Sequence, residues 1–336
     1  MTMLDQLEAI WKAIEQESGQ LPGTYQRRVP DGGDLTSYLG LVRPEGRRKI
    51  VVHLLASACS HLNLPTGGKG FEVVVEHRPP SEYAVLHLEE RSSARNAIFS
   101  MVCADLIAVS KASADVSTAS MLFCNRLIAW KRFFESKGEQ GITREDYVGL
   151  WGELHVMDAM LSAGTPPSDA LRAWLGPIGA PQDYSFGTRA IEVKTSAGAE
   201  MGLVQISNVM QLDDSALSHL YLVCVHCDFR PEAGMSMSEL RDGIREQLGP
   251  ALSGPFTDCL VSRGLGEPDV TPWAKWGFTV MNVRAFAVQG AFPRFCVNDV
   301  PQGAVDVTYA LQLGACSPYG VDLADVLAHA KFGDLS

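Results

Sequence analysis

The sequence predicts a mixed α/β (α+β) protein, and three observations carry that prediction. Apolar, β-branched runs separated by Pro/Gly turns fill residues 38–88. From Ala94 to Phe134 the apolar period becomes helical. From Asp183 onward, short strand-like runs alternate with single helical stretches, the rhythm of a mixed sheet. The chain divides on this reading into a β-rich region plus helices at 1–138, a core at 139–235, and an α/β extension packed on that core at 236–336.

Met1 to Gln16 sets Leu4, Leu7, Ile10, Trp11 and Ile14 among Asp5, Glu8 and Glu15. That is an acidic amphipathic helix, the wrong chemistry for a signal or transit peptide. Leu21 to Asp34 is punctuated by Pro22, Gly23, Pro30, Gly32 and Gly33 and reads as a loop. Tyr38–Val42, Ile50–Leu55, Phe71–His77 and Tyr83–Leu88 then predict a small antiparallel sheet. Gly67 to Gly70 lacks the full spacing of a phosphate loop and predicts a turn. Leu122, Phe123, Leu127, Trp130, Phe133 and Phe134 form a helical stripe, and Ser136 to Gly141 a polar hinge.

Thr143 to Asp146 has the pattern of a helix cap and opens a helix that runs to about Leu161. A connector with a short helix at Asp169 to Leu175 follows. Asp183–Phe186 and Ala190–Thr195 predict a hairpin over Gly187 and Thr188, then a strand at Gly202–Ile206 and a short helix at Ser207–Asp214. Tyr221–Val225 predicts a buried strand, Ser236–Leu248 a helix, and Trp276–Ala287 and Val305–Leu313 two more strands.

No apolar run reaches the ~18 residues of a membrane span, which places the protein in the cytoplasm on this reading. Eight cysteines lie without a framework spacing, and Cys224 and Cys227, flanking His226 in an apolar run, read as buried thiols rather than a zinc site. Net charge is −11, and its distribution matters. Residues 1–140 hold 16 basic and 16 acidic residues, so the remainder supplies the whole deficit with 12 against 23. A chain that grips long duplex DNA unaided would show a basic domain. This one relies on a local patch or on another subunit; Arg47, Arg48 and Lys49, its tightest basic run, read first as a solvated turn and second as a DNA contact.

The chemistry concentrates near Ile191-Glu192-Val193-Lys194. Two positions apart in a strand, Glu192 and Lys194 project from one face. Asp183 on the other arm of the hairpin and Glu153 on the preceding helix can reach the same place. Two or three carboxylates, the Val193 carbonyl and a lysine are the parts that hold Mg²⁺ (or Mn²⁺ in its stead) and hydrolyse a phosphodiester. Gln205 and Ser207 follow by one short strand; in metal-dependent nucleases a polar residue there positions the water or a phosphate, and Ser207 reads equally well as a helix N-cap. Gln211 reads as packing or backbone support. His155 should face away from the site, and Trp273 and Trp276 belong to the core.

The order helix-Glu, strand-Asp, strand-Glu-x-Lys, together with Gly149 to Leu154, Ala173 to Pro177, Gln182 to Phe186, Ile191 to Ser196, and Gln205 to Asn208 with Gln211-Leu212, resembles the PD-(D/E)xK nuclease superfamily. The branch it resembles occurs beside MORC-like ATPases, helicases and methyltransferases in bacterial restriction and defence loci. The likeness is specific from about 120 to 230 and looser to about 315; Asp183 follows Gln182 rather than proline. It implies a restriction-endonuclease-like three-layer core, Mg²⁺-dependent cleavage of foreign DNA, ATPase and methyltransferase partners, and a possible homodimer. Two rivals stand beside it. One is a catalytically silent scaffold of the same fold that positions an ATPase or methyltransferase. The other is a β-rich binding protein in which Glu192 and Lys194 form an ordinary ion pair.

Overall fold

The computed structural model describes all residues except 1–2, 19–20, 31–32, 62–70, 92–95, 112, 114, 138–141, 199–201, 268, 270, 303–306 and 333–336, together with the side chains of 60–61 and 135–137. The glycine-rich stretch Gly67 to Gly70 therefore lies outside the described residues. Two compact units emerge: Met1–Ile142 with Asp258–Val270, and Thr143–Thr257 with Thr271–Ser336.

In the first unit, α1 (Met3–Ser18) buries Leu7, Trp11 and Ile14, one stripe at helical spacing. β1 (Gly23–Arg28), β2 (Thr36–Arg43) and β3 (Arg47–Leu55) precede α2 (Ala56–His61), followed by β4 (Phe71–His77) and β5 (Tyr83–Glu90). They form an antiparallel sheet in the order β1-β2-β3-β5-β4. α3 (Asn96–Lys111) and α4 (Val116–Lys137) share one apolar core with α1 and the sheet. The hinge read at Ser136 to Gly141 is in part helix, since α4 runs on to Lys137. Inside the unit, Arg126 is clamped between Asp105 (2.8 Å) and Asp258 (2.6 Å), and Trp130 donates to the same Asp105.

The basic run does not form a free patch. Arg48 is buried, with Nη1 2.6 Å from Glu8 and its guanidinium 4.5 Å over the Trp11 ring, while Arg47 pairs with Glu89. The DNA-contact expectation fails for Arg48 because α1, some forty residues upstream, supplies the carboxylate and the ring.

The second unit opens with α5 (Arg144–Ser162), capped by Thr143, whose hydroxyl accepts from Asp146 N at 3.1 Å. After α6 (Pro167–Ala173) come β6 (Tyr184–Phe186), β7 (Arg189–Ala197), β8 (Leu203–Ile206), β9 (His219–Pro231) and β10 (Met235–Ser236). α7 (Met237–Leu248), the first part of α8 (Pro250–Ser262, which from Asp258 belongs to the first unit), β11 (Trp276–Ala287), β12 (Tyr309–Gln312), β13 (Gly320–Val321) and α9 (Leu323–Ala328) complete it. The sheet runs β10-β11-β9-β7-β6, with β13 also on β11. β7 and β9 are parallel and the other pairs antiparallel, which makes it mixed.

Three differences from the sequence reading concern this unit. β11 lies in the sheet itself and 258–270 joins the first unit, so residues 236–336 are not one extension. Hydropathy shows that a strand is buried, not which sheet it joins. β8 leaves the main sheet and pairs with β12 as a separate ribbon. The helix read at Ser207–Asp214 is a single 3-10 turn, Val209–Leu212, capped by Asn208 rather than Ser207.

α5 lies very close to β7. A Cβ added at Gly152 would sit 1.7 Å from Thr195 Oγ1 and 2.9 Å from Thr195 Cβ, and no rotamer of Thr195 moves its Cβ. At Gly149, one turn earlier, nothing lies within 4 Å. Gly152→Ala should therefore cost about 1–3 kcal/mol through overpacking. Gly149→Ala should add roughly 0.5–1 kcal/mol through helix propensity. Urea melts of both variants check the pair; equal effects would contradict the close contact.

Candidate active site

Thr195 faces α5, so by strand alternation Ile191 and Val193 do too, while Ala190, Glu192 and Lys194 point to the opposite side of β7. On that side Ala190 packs with Leu220, Leu222, Phe286 and the apolar residues of the β8–β12 ribbon. Glu192 is enclosed there at 1 % exposure. Its Oε1 lies 2.7 Å from Lys194 Nζ, and its Oε2 is buried with no hydrogen-bond partner among the described residues, although the Asp183 backbone N–H helps to hold the carboxyl down.

Asp183 sits one residue before β6, half-buried, and its Oδ2 accepts from Val193 N at 2.9 Å. A strand residue sends its N–H and C=O to the same edge, so the Val193 carbonyl also points to the Asp183 side of β7. β6 is too short to cover that edge: Tyr184 pairs with Ile191, and the strand ends there. The Asp183 carbonyl is itself held, accepting from Leu175 N at 2.8 Å and Gly176 N at 3.2 Å. Glu153 comes from α5, where the Gly152 contact draws the helix onto β7. It is buried, with Oε2 accepting from Trp174 Nε1 at 2.8 Å, and Tyr184 Oη donates to its backbone carbonyl at 2.7 Å.

Electrostatics tie the three acids together. Desolvation, then the charges of Glu192 and Glu153, hold the Asp183 carboxyl well above the usual range, against the Val193 N–H and Lys194. Burial pushes Glu192 up to about 7, against the pull of Lys194. Carboxylates that raise one another in this way are a common mark of a functional site.

The residues fit a hard divalent cation. Carboxylates and a backbone carbonyl are oxygen donors, the set that suits Mg²⁺, and the buried Glu192 Oε2 is an acceptor without a hydrogen bond among the described residues. The three acids stand apart in this state. Among the described residues, the one trio of potential ligand atoms all within 4.8 Å is Asp213, Asp214 and Cys296. That trio already has a cation: Arg294 donates to Asp214 at 2.7 Å and to Cys296 Sγ at 3.3 Å.

Gln205 is exposed on β8 and makes no hydrogen bond to the acids or to Lys194 among the described residues. The residue that reaches Lys194 is Gln211, whose Oε1 accepts from Nζ at 3.0 Å and from Ser207 N at 3.0 Å. His155 stacks on Trp151, and Trp273 and Trp276 pack on Tyr147 and Phe229. Cys224 and Cys227 are buried free thiols, pushed up by burial to about 12 and about 11.

A family model described as "Putative PD-(D/E)XK family member, (DUF4420)" matches residues 7–314. The chain belongs to this DUF4420 family. No curated protein and no solved structure matches it significantly. The family match spans both units, so the antiparallel sheet of the first unit is part of what defines DUF4420. The mixed sheet flanked by helices is consistent with a PD-(D/E)XK nuclease-like α+β fold. No helix among the described residues is long and apolar enough to cross a membrane.

Proposed function

We propose that this protein is a Mg²⁺-dependent DNA endonuclease, the nuclease subunit of a multi-gene restriction or anti-phage system. One observation carries the reading most: Lys194 is paired to one oxygen of Glu192 while the other stays buried without a hydrogen bond among the described residues, in the field of Asp183 and Glu153. A scaffold gains nothing from burying acids at a desolvation cost. A hydrolase of phosphodiesters needs such a cluster.

Asp183, Glu192, Glu153 and the Val193 carbonyl would hold the cation. When bound, it supplies charge neutralisation at the phosphate and lowers the pKa of a water. The protein's own groups do the rest. Val193 N–H fixes the orientation of Asp183, Trp174 that of Glu153, and Lys194 presents an N–H to the attacking water or takes its proton. Mn²⁺ should substitute for Mg²⁺.

With net charge −11, the isolated chain should bind duplex DNA weakly, and an ATPase or methyltransferase subunit, or a second copy in a homodimer, would complete the grip. The cytoplasm is the compartment in which such a system meets its DNA. Nicking of plasmid and phage DNA is the test, with Mg²⁺, Mn²⁺ or chelator, and with and without the neighbouring subunits. Cleavage that survives chelation would contradict the proposal. Anisotropy of labelled duplex should show binding lost by orders of magnitude between roughly 50 and 200 mM salt if several phosphates are contacted.

A further inference from the structure

Among the described residues Lys194 Nζ has two protein partners, Glu192 Oε1 at 2.7 Å and Gln211 Oε1 at 3.0 Å. An ammonium has three N–H bonds, so two fixed acceptors set the direction of the third. The two acceptors differ in kind. Glu192 is a carboxylate that the proposed reaction assigns to the cation, whereas Gln211 is neutral and carries no such duty. Gln211 also stands on its own support: Oε1 accepts from Ser207 N at 3.0 Å, across the 3-10 turn that Asn208 caps. Both groups on Oε1 are donors only, so the amide cannot be flipped without placing an NH₂ against two N–H groups.

From this geometry we infer that Gln211 is the positioning residue of the site: it holds the Lys194 amine in place when Glu192 turns to the cation. The inference rests on the nuclease reading for its purpose, but its geometry can be tested without cleavage. It also explains why an amide suits the position. A carboxylate at 211 would accept the same two hydrogen bonds but add a fourth acid to a site that already raises its own carboxylates. An alkyl side chain would accept neither bond.

The experiment compares wild type, Gln211→Leu and Gln211→Glu. Crystals of each are soaked with Ca²⁺, which can occupy an oxygen site without supporting turnover, and plasmid nicking is measured with Mg²⁺. Gln211→Glu keeps an acceptor for both Ser207 N and Lys194 Nζ, so it separates loss of the two hydrogen bonds from the addition of a charge. In wild type with Ca²⁺, Nζ should remain within hydrogen-bond distance of Gln211 Oε1; in Gln211→Leu it should move to another acceptor. Gln211→Leu should lower kcat roughly 10²-fold with KM unchanged, the scale of misplacing a reacting group. Gln211→Glu should recover part of that loss. The inference is overturned if Nζ leaves Gln211 in the Ca²⁺-bound wild type, or if Gln211→Leu nicks within about twofold of wild type. A wild type that binds Ca²⁺ with Nζ on Gln211 yet cleaves nothing even with its partner subunits present would refute the nuclease proposal and leave the positioning of Lys194 standing.

Discussion

Lys194→Ala should lower plasmid nicking by roughly 10²–10⁴-fold, the scale of losing a general base or a water-orienting group. The fold should survive the change. Lys194 is partly exposed, and its loss leaves Glu192, whose carboxyl is already pushed up to about 7, to take a proton rather than stand as an unpaired charge. Lys194→Arg should not restore the rate. Nζ bridges two oxygens on different segments, Glu192 and Gln211, at 2.7 and 3.0 Å, and a planar fork matches a carboxylate rather than that pair. A guanidinium also cannot give up its proton at working pH. The comparison is made in the reconstituted system, with assembly on the partner subunits checked for each variant. If both Lys194 variants restrict phage as well as wild type does, the silent-scaffold reading replaces the nuclease.

The second large effect links pH, metal and stability at Asp183 and Glu192. Both carboxyls are raised in the folded protein, so the folded state binds protons more tightly than the unfolded chain does. The sign follows: below the unfolded pKa both states are protonated and nothing is lost, and stability falls as pH rises toward the folded value. For Glu192 the window runs from 4.5 to about 7, and the loss across it is on the order of 3 kcal/mol. Asp183 adds a loss of the same sign, beginning at 3.8. Asp183→Asn should flatten part of this slope and leave the metal-free protein at least as stable as wild type near pH 8, because an amide oxygen can still accept from Val193 N. Mg²⁺ should stabilise wild type by about 2.7 kcal/mol at a hundredfold excess over Kd and leave Asp183→Asn unmoved. Thermal melts at pH 5 and pH 8, with and without Mg²⁺, decide it. Equal stabilisation of the two proteins would remove Asp183 from the ligand set.

The part of this site that could be read along the chain is the part that local periodicity controls. Glu192 and Lys194 share a face because a strand alternates, and Thr143 caps α5 because the cap is built from adjacent residues. What depends on contacts between distant segments could not be read in that way. Gln205 looked better placed than Gln211 because it follows the Glu192 strand directly, but β8 pairs with β12 and carries Gln205 outward. Gln211 reaches Lys194 only because a tight 3-10 turn brings it back beneath Ser207. Arg48 belongs to the same class, a turn cation by sequence that becomes a buried one once Glu8 arrives.

The return of residues 258–270 to the first unit bears on how this protein can be taken apart. A fragment cut before Thr143 would keep Leu260, Val261 and Leu265, each 2 % exposed or less in the intact chain, but not the core that surrounds Val261. The complementary fragment would lose Asp258 and leave Arg126 with one carboxylate in place of two. Neither half is a clean truncation product. Limited proteolysis between the helices α4 and α5 should therefore yield a nicked protein whose pieces stay together, and a separately expressed nuclease unit would need 258–270 replaced by a short linker.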